Sequence, residues 1–539
     1  MSDDFLLRRR LIKGIGIAGL SALAWPLVKY IYPQQHPAIT QAGTTPALAH
    51  QIRDPHFPPI SQHERTQVAI IGSGVAGLSA ARQLQLKGLT DFRVLELETM
   101  IGGNAASGHN SISAYPWGAH YLPVPGSDSD FLYPFLQEAN VITGFNEQGN
   151  PYYNELFLCH DLHERLYLNG SWQEGLVPLQ GISAKDKEEI TQFFALMTRF
   201  KHTKGQDDRY AFTIPVEASS SDPTFVRFDQ ITMAEYLNEL GLYSPYLRWY
   251  VNYCCRDDFG GGIDKVSAWA GIHYFASRRA CLANDMDDAI LVWPQGNGFL
   301  VDHLAQPFMD RIQTQSLVYQ VVPHANQMAV HYFDAKTQTS VELLAEQVIM
   351  AIPRFVAHKI CHPDFQDAFQ DIQKLDYAPW LVANISLKAL PVSKGADLAW
   401  DNVSYYSRSL GYIHANHQSL SGHRGESVIT YYLPLDHLPP REARQQALAR
   451  TTQEWHQLIV NDLETMHEDI RSLIQDIQIR VLGHGMICPT PHMISSTVKQ
   501  IKRSQGRLFF AHSDMSGLSL FEEAYWQGLQ TANRLLASV

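Results

Sequence analysis

Hydrophobic positions change their spacing several times along the chain, and each change predicts an element. In "TQVAIIGSGVAGLSAARQLQLKG", Thr66 to Gly88, the run Val68, Ile70 and Ile71 is nearly continuous, as in a parallel strand with helices on both faces. Beyond it Val75, Leu78, Ala81 and Leu84 recur at helical spacing, and Gly88 stands where such a helix would end. The stretch predicts strand, tight turn and helix, and "FRVLELE" predicts a second strand ending at Glu96. Residues 126–289 read mostly as helix: "SAKDKEEITQFFALMTRF" opens on Ser183 as a candidate cap, and Thr232 pairs with Glu235 as a capping box. Within 366–480, alternating runs such as "WLVANISLKAL" and "VSYYSRSLGYIHA" predict a sheet, followed by helix through "PREARQQALARTTQEWHQLIVNDLETM".

The glycines between the first strand and its helix carry chemistry. In G-x-G-x-x-G, Gly72 permits the turn, Gly74 lets a pyrophosphate approach the backbone, and Gly77 lets helix pack on strand. The helix N-terminus adds free N–H groups and the positive end of its dipole. Glu96 follows the last glycine by about 20 residues, where an acidic side chain receives the adenosine ribose hydroxyls. Gly72, Ser73, Gly74, Val75, Ala76, Gly77 and Glu96 are therefore candidate contacts of a dinucleotide, a bare βαβ unit being the plain alternative.

"VLELETMIGGNAASG" resembles the extended fingerprint of the flavin amine oxidase, protoporphyrinogen oxidase and phytoene desaturase superfamily, with its Gly-Gly pair at Gly102 and Gly103. That superfamily most often continues with arginine near the pyrophosphate, whereas this chain has Asn104, which can donate a hydrogen bond but carries no charge. "YPWGAHYLP" resembles the segment passing close to the flavin ring, which implies that Trp117, Gly118, Ala119 and His120 lie near it. "SLVYQVV" would set Val318 against the adenine side, between "WPQGNGFLVDHLAQ" and "EQVIMAIPR", which are similar to further blocks of the nucleotide domain. The C-terminal "GRLFFAHSDMSGLSLFEEAYWQGLQTANRLL" resembles the last flavin segment. It implies a ribityl contact from Asp514, with Ser513 the alternative, and close helix approach at Ala524, Gly528 and Ala532.

The resemblance implies an α/β fold: a Rossmann-like FAD-binding domain with a parallel sheet, interleaved with a substrate domain of mixed sheet and helices. Residues 64–125, 290–365 and 481–539 are expected in the first, and 126–289 and 366–480 in the second. FAD is expected to be non-covalent. Cys488 lies roughly where some monoamine oxidases carry the cysteine bonded to flavin, but its flanking residues differ.

The chain has 539 residues, 45% of them hydrophobic, which is enough for two structural domains. A formal net charge of −12 argues against a nucleic-acid groove. "CHDLH" and "CHPDF" lack a second ligand pair at zinc spacing, so no metal is expected. Of the six cysteines Cys254 and Cys255 are adjacent and the others scattered, and free buried thiols are expected. At the N-terminus, Arg8, Arg9 and Arg10 precede Lys13 and an uncharged stretch to Val28, which looks like a twin-arginine export signal over residues 1–31. Gly14 to Val28 is shorter than the roughly 20 residues of a spanning helix, yet an inner-membrane anchor stays open. Export of a folded chain suits a non-covalent cofactor that must be captured in the cytoplasm, so a periplasmic location is expected. Cleavage could follow Ala24 or Ala49, and residues 32–63 read as an extended linker.

A flavin is its own electron sink, so the expected reaction is hydride transfer from a substrate C–N or C–C bond to flavin N5, with no obligatory acid or base. The substrate is expected to be a small molecule, an amine among the candidates, and the electron acceptor oxygen or a quinone or carrier. His120 could orient substrate or shuttle a proton, or be a hydrogen-bonded histidine without a chemical role. Trp400, Tyr405, Tyr406 and Tyr525 could cage an amine, but core packing is favoured for each. Arg256, Asp257 and Asp258 precede glycines and read as a solvated turn in preference to a charged pocket wall. Alternative functions are a non-redox flavoprotein of the UDP-galactopyranose mutase type, a desaturase acting on an apolar substrate, or an assembly protein that keeps FAD structurally.

Overall fold

The computed structural model describes residues 38–284, 286, 289–419 and 425–538, and residues 39–539 form one unit. The twin-arginine segment and the Ala24 cleavage site lie outside the described residues. Among the described residues, two eight-stranded sheets organise the fold.

In the first sheet the strand Ile60–Ile71 lies parallel to Phe92–Leu95 on one side and to Thr339–Met350 on the other. Thr339–Met350 changes partner along its length. Its first half pairs antiparallel with Gln327–Asp334, and its last three residues pair in parallel with Leu508–Phe510. Val68 to Ile71 are buried at every position, as the unbroken apolar run requires of a strand covered on both faces. The helix Val75–Leu86 covers one face together with Phe521–Leu536. The two helices touch at Gly528, where a Cβ would stand 2.0 Å from Ser79 Oγ and 2.2 Å from Ala76 O.

The second sheet is mixed. Its central strand, Tyr377–Leu387, runs antiparallel to Ile474–Ile487 and to Ser427–Pro434 and is buried along its whole length. The pleat divides its side chains: Leu381, Ala383, Ile385 and Leu387 join the core beneath helices Pro440–Ala449 and Thr452–Glu464, while Ala378, Trp380 and Val382 face the opposite core. Strand Ile474–Ile487 runs through the expected domain boundary at 480/481. Helices Ala184–His202, Met233–Glu239, Pro245–Phe259 and Ala268–Ala276 build a separate apolar cluster. Ser183 and Thr232 cap their helices in complete capping boxes with Asp186 and Glu235.

The expected linker differs from the structure. Ala38–Gln41 is a strand, Pro46–Ala49 a short helix, and the strand Ile60–Ile71 already begins inside the expected linker. The segment is tied down by polar contacts: Ala42 N–H donates to Ile479 O at 2.9 Å, and Thr45 Oγ1 donates to Glu98 Oε2 at 2.7 Å. Proline and polar composition resembled a spacer because these ties lie far away in sequence. Among the described residues, no helix is long and apolar enough to cross a membrane.

Candidate active site

A cavity of about 430 Å³ opens where the parallel strands of the first sheet end, the place where open α/β sheets bind ligands. The three fingerprint glycines do different things there. Gly72 has φ +100°, and a Cβ on it would stand 2.5 Å from Ala351 O. A Cβ on Gly77 would stand 2.0 Å from Gly72 O, so both positions are closed by protein backbone. Gly74, the N-cap of helix Val75–Leu86, lines the cavity and meets nothing within 4 Å. Opposite it Gly103 has φ +59°, and its Cβ would approach Gly74 Cα at 3.3 Å.

Two carboxylates flank this opening. Glu96 Oε2 accepts from Ser73 N–H at 2.8 Å and Ser73 Oγ at 2.6 Å, and Oε1 accepts from Glu98 N–H at 2.9 Å. Burial raises the Glu96 pKa even though these bonds pull it down. Asp514 Oδ2 accepts from Tyr377 Oη at 2.6 Å and Arg354 N–H at 2.9 Å, while His512 Nδ1 stands 3.1 Å from Oδ1. Burial pushes the Asp514 carboxyl up, but the His512 charge and the hydrogen bonds outweigh it and hold the group below the ordinary value.

Arg480, from strand Ile474–Ile487, reaches the same cavity with 3% exposure. Its guanidinium donates to Trp117 O at 3.0 Å and to Gly103 O at 3.3 Å, and Nε has no partner among the described residues. Asn104 turns its amide onto Gly485 O.

A second cavity of about 130 Å³ adjoins the first through Asn104, Ala119, Gly485, Ser519, Leu520 and Phe521, which line both. Its polar wall is Asp257, Asp258, Glu522 and Arg278, and Trp380, Val382, Leu482 and Met486 contribute apolar surface. Arg278 stands 3.5 Å from both Asp258 and Glu522. Asp257 instead accepts from Tyr121 Oη at 3.3 Å, and its pKa is pushed up to about 7 by burial first and the Asp258 charge second. His120 packs on the Tyr432 ring at 4.5 Å between centroids, with Nδ1 3.3 Å from Gly118 O. Burial pulls its pKa down to about 4, so the ring is neutral at pH 7.

The sequence profile described as flavin containing amine oxidoreductase matches residues 75–536. The chain belongs to this family. It is an FAD-dependent oxidoreductase of the flavin-containing amine oxidoreductase family, and the mixed α/β fold is that of solved amine oxidases. Wild-type putrescine oxidase bound to putrescine superposes with a TM-score of 0.61 at 15% identity, covering 88% of this chain and 100% of that one. Cyclohexylamine oxidase from Brevibacterium oxydans gives 0.59 at 12% identity, over 88% and 99% of the two chains. A fatty acid isomerase from P. acnes that produces CLA gives 0.60 at 15%, over 87% and 98%. In sequence, 41 residues are 54% identical to a Baeyer-Villiger monooxygenase of Streptomyces coelicolor, a stretch spanning 8% of this chain and 8% of that one.

Of the residues singled out in the sequence, Gly72, Gly74, Val75, Ala76, Glu96, Gly102, Gly103, Asn104, Ala119, Val318, Ser513, Asp514 and Ala524 line the first cavity. Gly118 and His120 line the second. Ser73, Gly77, Trp117, Gly528 and Ala532 line neither: Ser73 holds Glu96, and Trp117 is buried edge-on against Tyr115 at 5.6 Å. The alternative of an aromatic cage does not assemble, and the favoured core packing holds for Trp400 and Tyr525 but not for Tyr406. Tyr405 packs with Trp249 and Tyr246, Tyr406 is exposed, and Tyr525 sits among Phe131, Phe135 and Phe521. Trp400 touches His120 at 5.5 Å from behind. Tyr121 and Tyr432, which were not singled out, line the second cavity in their place.

The solvated-turn reading of Asp257 and Asp258 is corrected by the structure. Helix Pro245–Phe259 continues through them and ends at Gly260 (φ +64°), so both face the cavity. Arg256, from the same stretch, pairs away from it with Asp436 at 2.8 Å. Cys488 is buried and lines neither cavity, and its thiol is pushed up to about 12 by burial. No group of three or more His, Cys, Asp or Glu able to hold a metal ion occurs among the described residues.

Proposed function

We propose that the protein oxidises a cationic amine in the second cavity, using FAD held without a covalent bond in the first. The observation that carries this reading is the charge of the second cavity, where three carboxylates, Asp258 and Glu522 buried and Asp257 partly so, face one guanidinium. Arg278 lies between Asp258 and Glu522, and Asp257 has no ion pair of its own among the described residues. A carboxylate in that position gains most from a substrate ammonium. The desaturase and mutase alternatives find less support, since an apolar chain or a sugar diphosphate would leave this charge unmatched or oppose it.

The first cavity suits FAD by its donor set. Gly74 leaves open space beside the helix N-terminus for a pyrophosphate, with the N–H groups of Val75 and Ala76 next in line. Glu96 would receive the adenosine ribose, Asp514 the ribityl chain, and Val318 the adenine. When bound, FAD supplies the electron acceptor, taking a hydride at N5 from a C–H bond next to nitrogen.

The chain's own residues bind and orient. Asp257 attracts the ammonium, and Tyr121 holds that carboxylate in place. With His120 Nδ1–H donated to Gly118 O, the neutral ring leaves Nε2 as an acceptor for an amine N–H. Trp380, Leu482, Met486 and Phe521 receive the carbon stem and exclude water.

Export by the twin-arginine route to the periplasm belongs to the same proposal, supported by Arg8, Arg9 and Arg10 ahead of an uncharged stretch. Cleavage after Ala24 fits better than after Ala49, since the latter would remove the Ala42 and Thr45 contacts. The test is anaerobic mixing of the yellow holoprotein with cationic mono- and diamines, amino acids and fatty acids. Bleaching by amines alone is expected, and bleaching only by a fatty acid, or by none of the panel, overturns the reading. Admitting air then separates an oxidase, which recovers its colour at once, from a dehydrogenase that needs a quinone or carrier.

A further inference from the structure

Among the described residues, three buried arginines other than Arg480 are ion-paired. Arg354 pairs with Asp371 at 2.6 Å, Arg256 with Asp436 at 2.8 Å, and Arg82 with Glu138 at 2.5 Å. Arg165, without an ion pair among the described residues, is satisfied instead by Asn402 at 2.6 Å, Ala396 O at 3.0 Å and Tyr412 Oη at 3.4 Å, and lies 3.9 Å over the Trp172 ring. Arg480 departs from this pattern. Its two bonds go to neutral backbone carbonyls, Nε is unpartnered among the described residues, and the side chain is almost wholly buried at the wall of the cofactor cavity. An unpaired guanidinium removed from water is costly unless an anion completes it.

Its place says which anion. Arg480 bonds the carbonyl of Gly103, and Gly103 faces Gly74 at the N-terminus of helix Val75–Leu86. Helix dipole, open glycine and guanidinium converge on one spot. This is also where the superfamily's fingerprint most often carries its arginine and this chain carries Asn104, whose amide is occupied by Gly485 O. Arg480 comes from a strand of the second sheet that is far from Asn104 along the chain. Burial pulls the guanidinium pKa down to about 10, against the attraction of Glu98 and Glu96, which leaves it charged at any physiological pH.

We propose that Arg480 is the pyrophosphate-binding cation of this protein, supplying from the second sheet the charge that the fingerprint loop lacks at Asn104. The inference rests on the FAD reading and deepens it. The ligand chemistry is a diphosphate ester, and the contact is a charge-assisted hydrogen bond from the guanidinium to phosphate oxygen.

The test measures dissociation constants of FAD, ADP and riboflavin on deflavinated full-length protein, by fluorescence, for wild type, Arg480→Met, Arg480→Lys and the double variant Arg480→Met/Asn104→Arg. Arg480→Met is expected to weaken FAD and ADP by about tenfold or more and to leave riboflavin, which has no phosphate, unchanged. Arg480→Lys should fall between, and Asn104→Arg should restore part of the loss. The salt dependence of FAD binding should be shallower in Arg480→Met than in wild type. Unchanged FAD affinity overturns the proposal, as does an equal loss for riboflavin, which would make Arg480 a structural residue. Wild-type protein that takes up none of the three ligands would instead overturn the FAD reading itself.

Discussion

The two cavities meet, yet they are built in opposite ways. The first has at its phosphate end a wall of backbone, where glycines without side chains let a loop, a strand end and a helix N-terminus converge within Ile71 to Asn104. The second is made of side chains brought together from helix Pro245–Phe259, the strand Tyr377–Leu387, the strand Ser427–Pro434 and helix Phe521–Leu536. Backbone recognition depends on local geometry and serves a cofactor that many proteins share. Side-chain recognition depends on charge and shape collected across the fold, and it is where a substrate is chosen.

The sharpest way to break this contrast is inside the glycine loop. Gly77→Ala drives a Cβ against Gly72 O and is expected to cost about 3 kcal/mol or more, read as a fall in Tm and in soluble yield. Gly74→Ala meets no protein atom, so the stability of the deflavinated protein should stay within about 0.5 kcal/mol of wild type while FAD affinity drops. Equal loss of fold in both variants would show that the loop has no open position reserved for a ligand.

The next effect belongs to the second cavity. Asp257→Asn keeps an acceptor for Tyr121 but removes the uncompensated charge, and it should raise KM for a cationic amine about tenfold with a smaller change in kcat. A pH profile refines the same point. Because the native carboxyl is pushed up to about 7, wild-type KM should fall as pH rises through that value and Asp257 ionises, and the Asn variant should lack the inflection. Stability runs the other way. Native Asp257 holds a proton that the unfolded chain releases at the ordinary carboxylate value, so its contribution declines from there up to about pH 7, and Tm of wild type should fall relative to Asp257→Asn across that window.

The smallest effect comes from Glu523, which lines neither cavity. It accepts from Val216 N–H at 2.7 Å, and burial pushes its pKa up to about 8. Glu523→Gln should change stability by less than about 1 kcal/mol below the ordinary carboxylate range, where the carboxyl is protonated in folded and unfolded chains alike. Native Glu523 keeps a proton that the unfolded chain releases at the ordinary carboxylate value, so wild-type stability should fall relative to Glu523→Gln from that value up to about pH 8 and level off above it, read by thermal denaturation.

This contrast also explains what the sequence could reveal. The strand, loop and helix from Thr66 to Glu96 are legible because each residue's role is fixed by its near neighbours and by a period of apolar positions. The helix caps at Ser183 and Thr232 are legible for the same reason. Asp257 and Asp258 were misread because three glycines follow them, and only tertiary packing shows that the helix persists to Phe259. Tyr121 and Tyr432 gave no signal, since aromatic residues in short strands are ordinary core. Arg480 sits in an alternating run, "IQIRVLG", where a charged residue reads as solvent-facing; its one hint was the missing arginine at position 104.

The segment that resembled a linker has a last implication. A Cβ on Gly43 would touch the Arg480 stem at 3.0 Å, and Thr45 grips Glu98, so two walls of the larger chamber are braced by the segment around Gly43 and Thr45. Coupling of this kind works in both directions. A guest that steadies those walls tightens the clasp of the leading segment, and prying the segment loose slackens the grip on the guest.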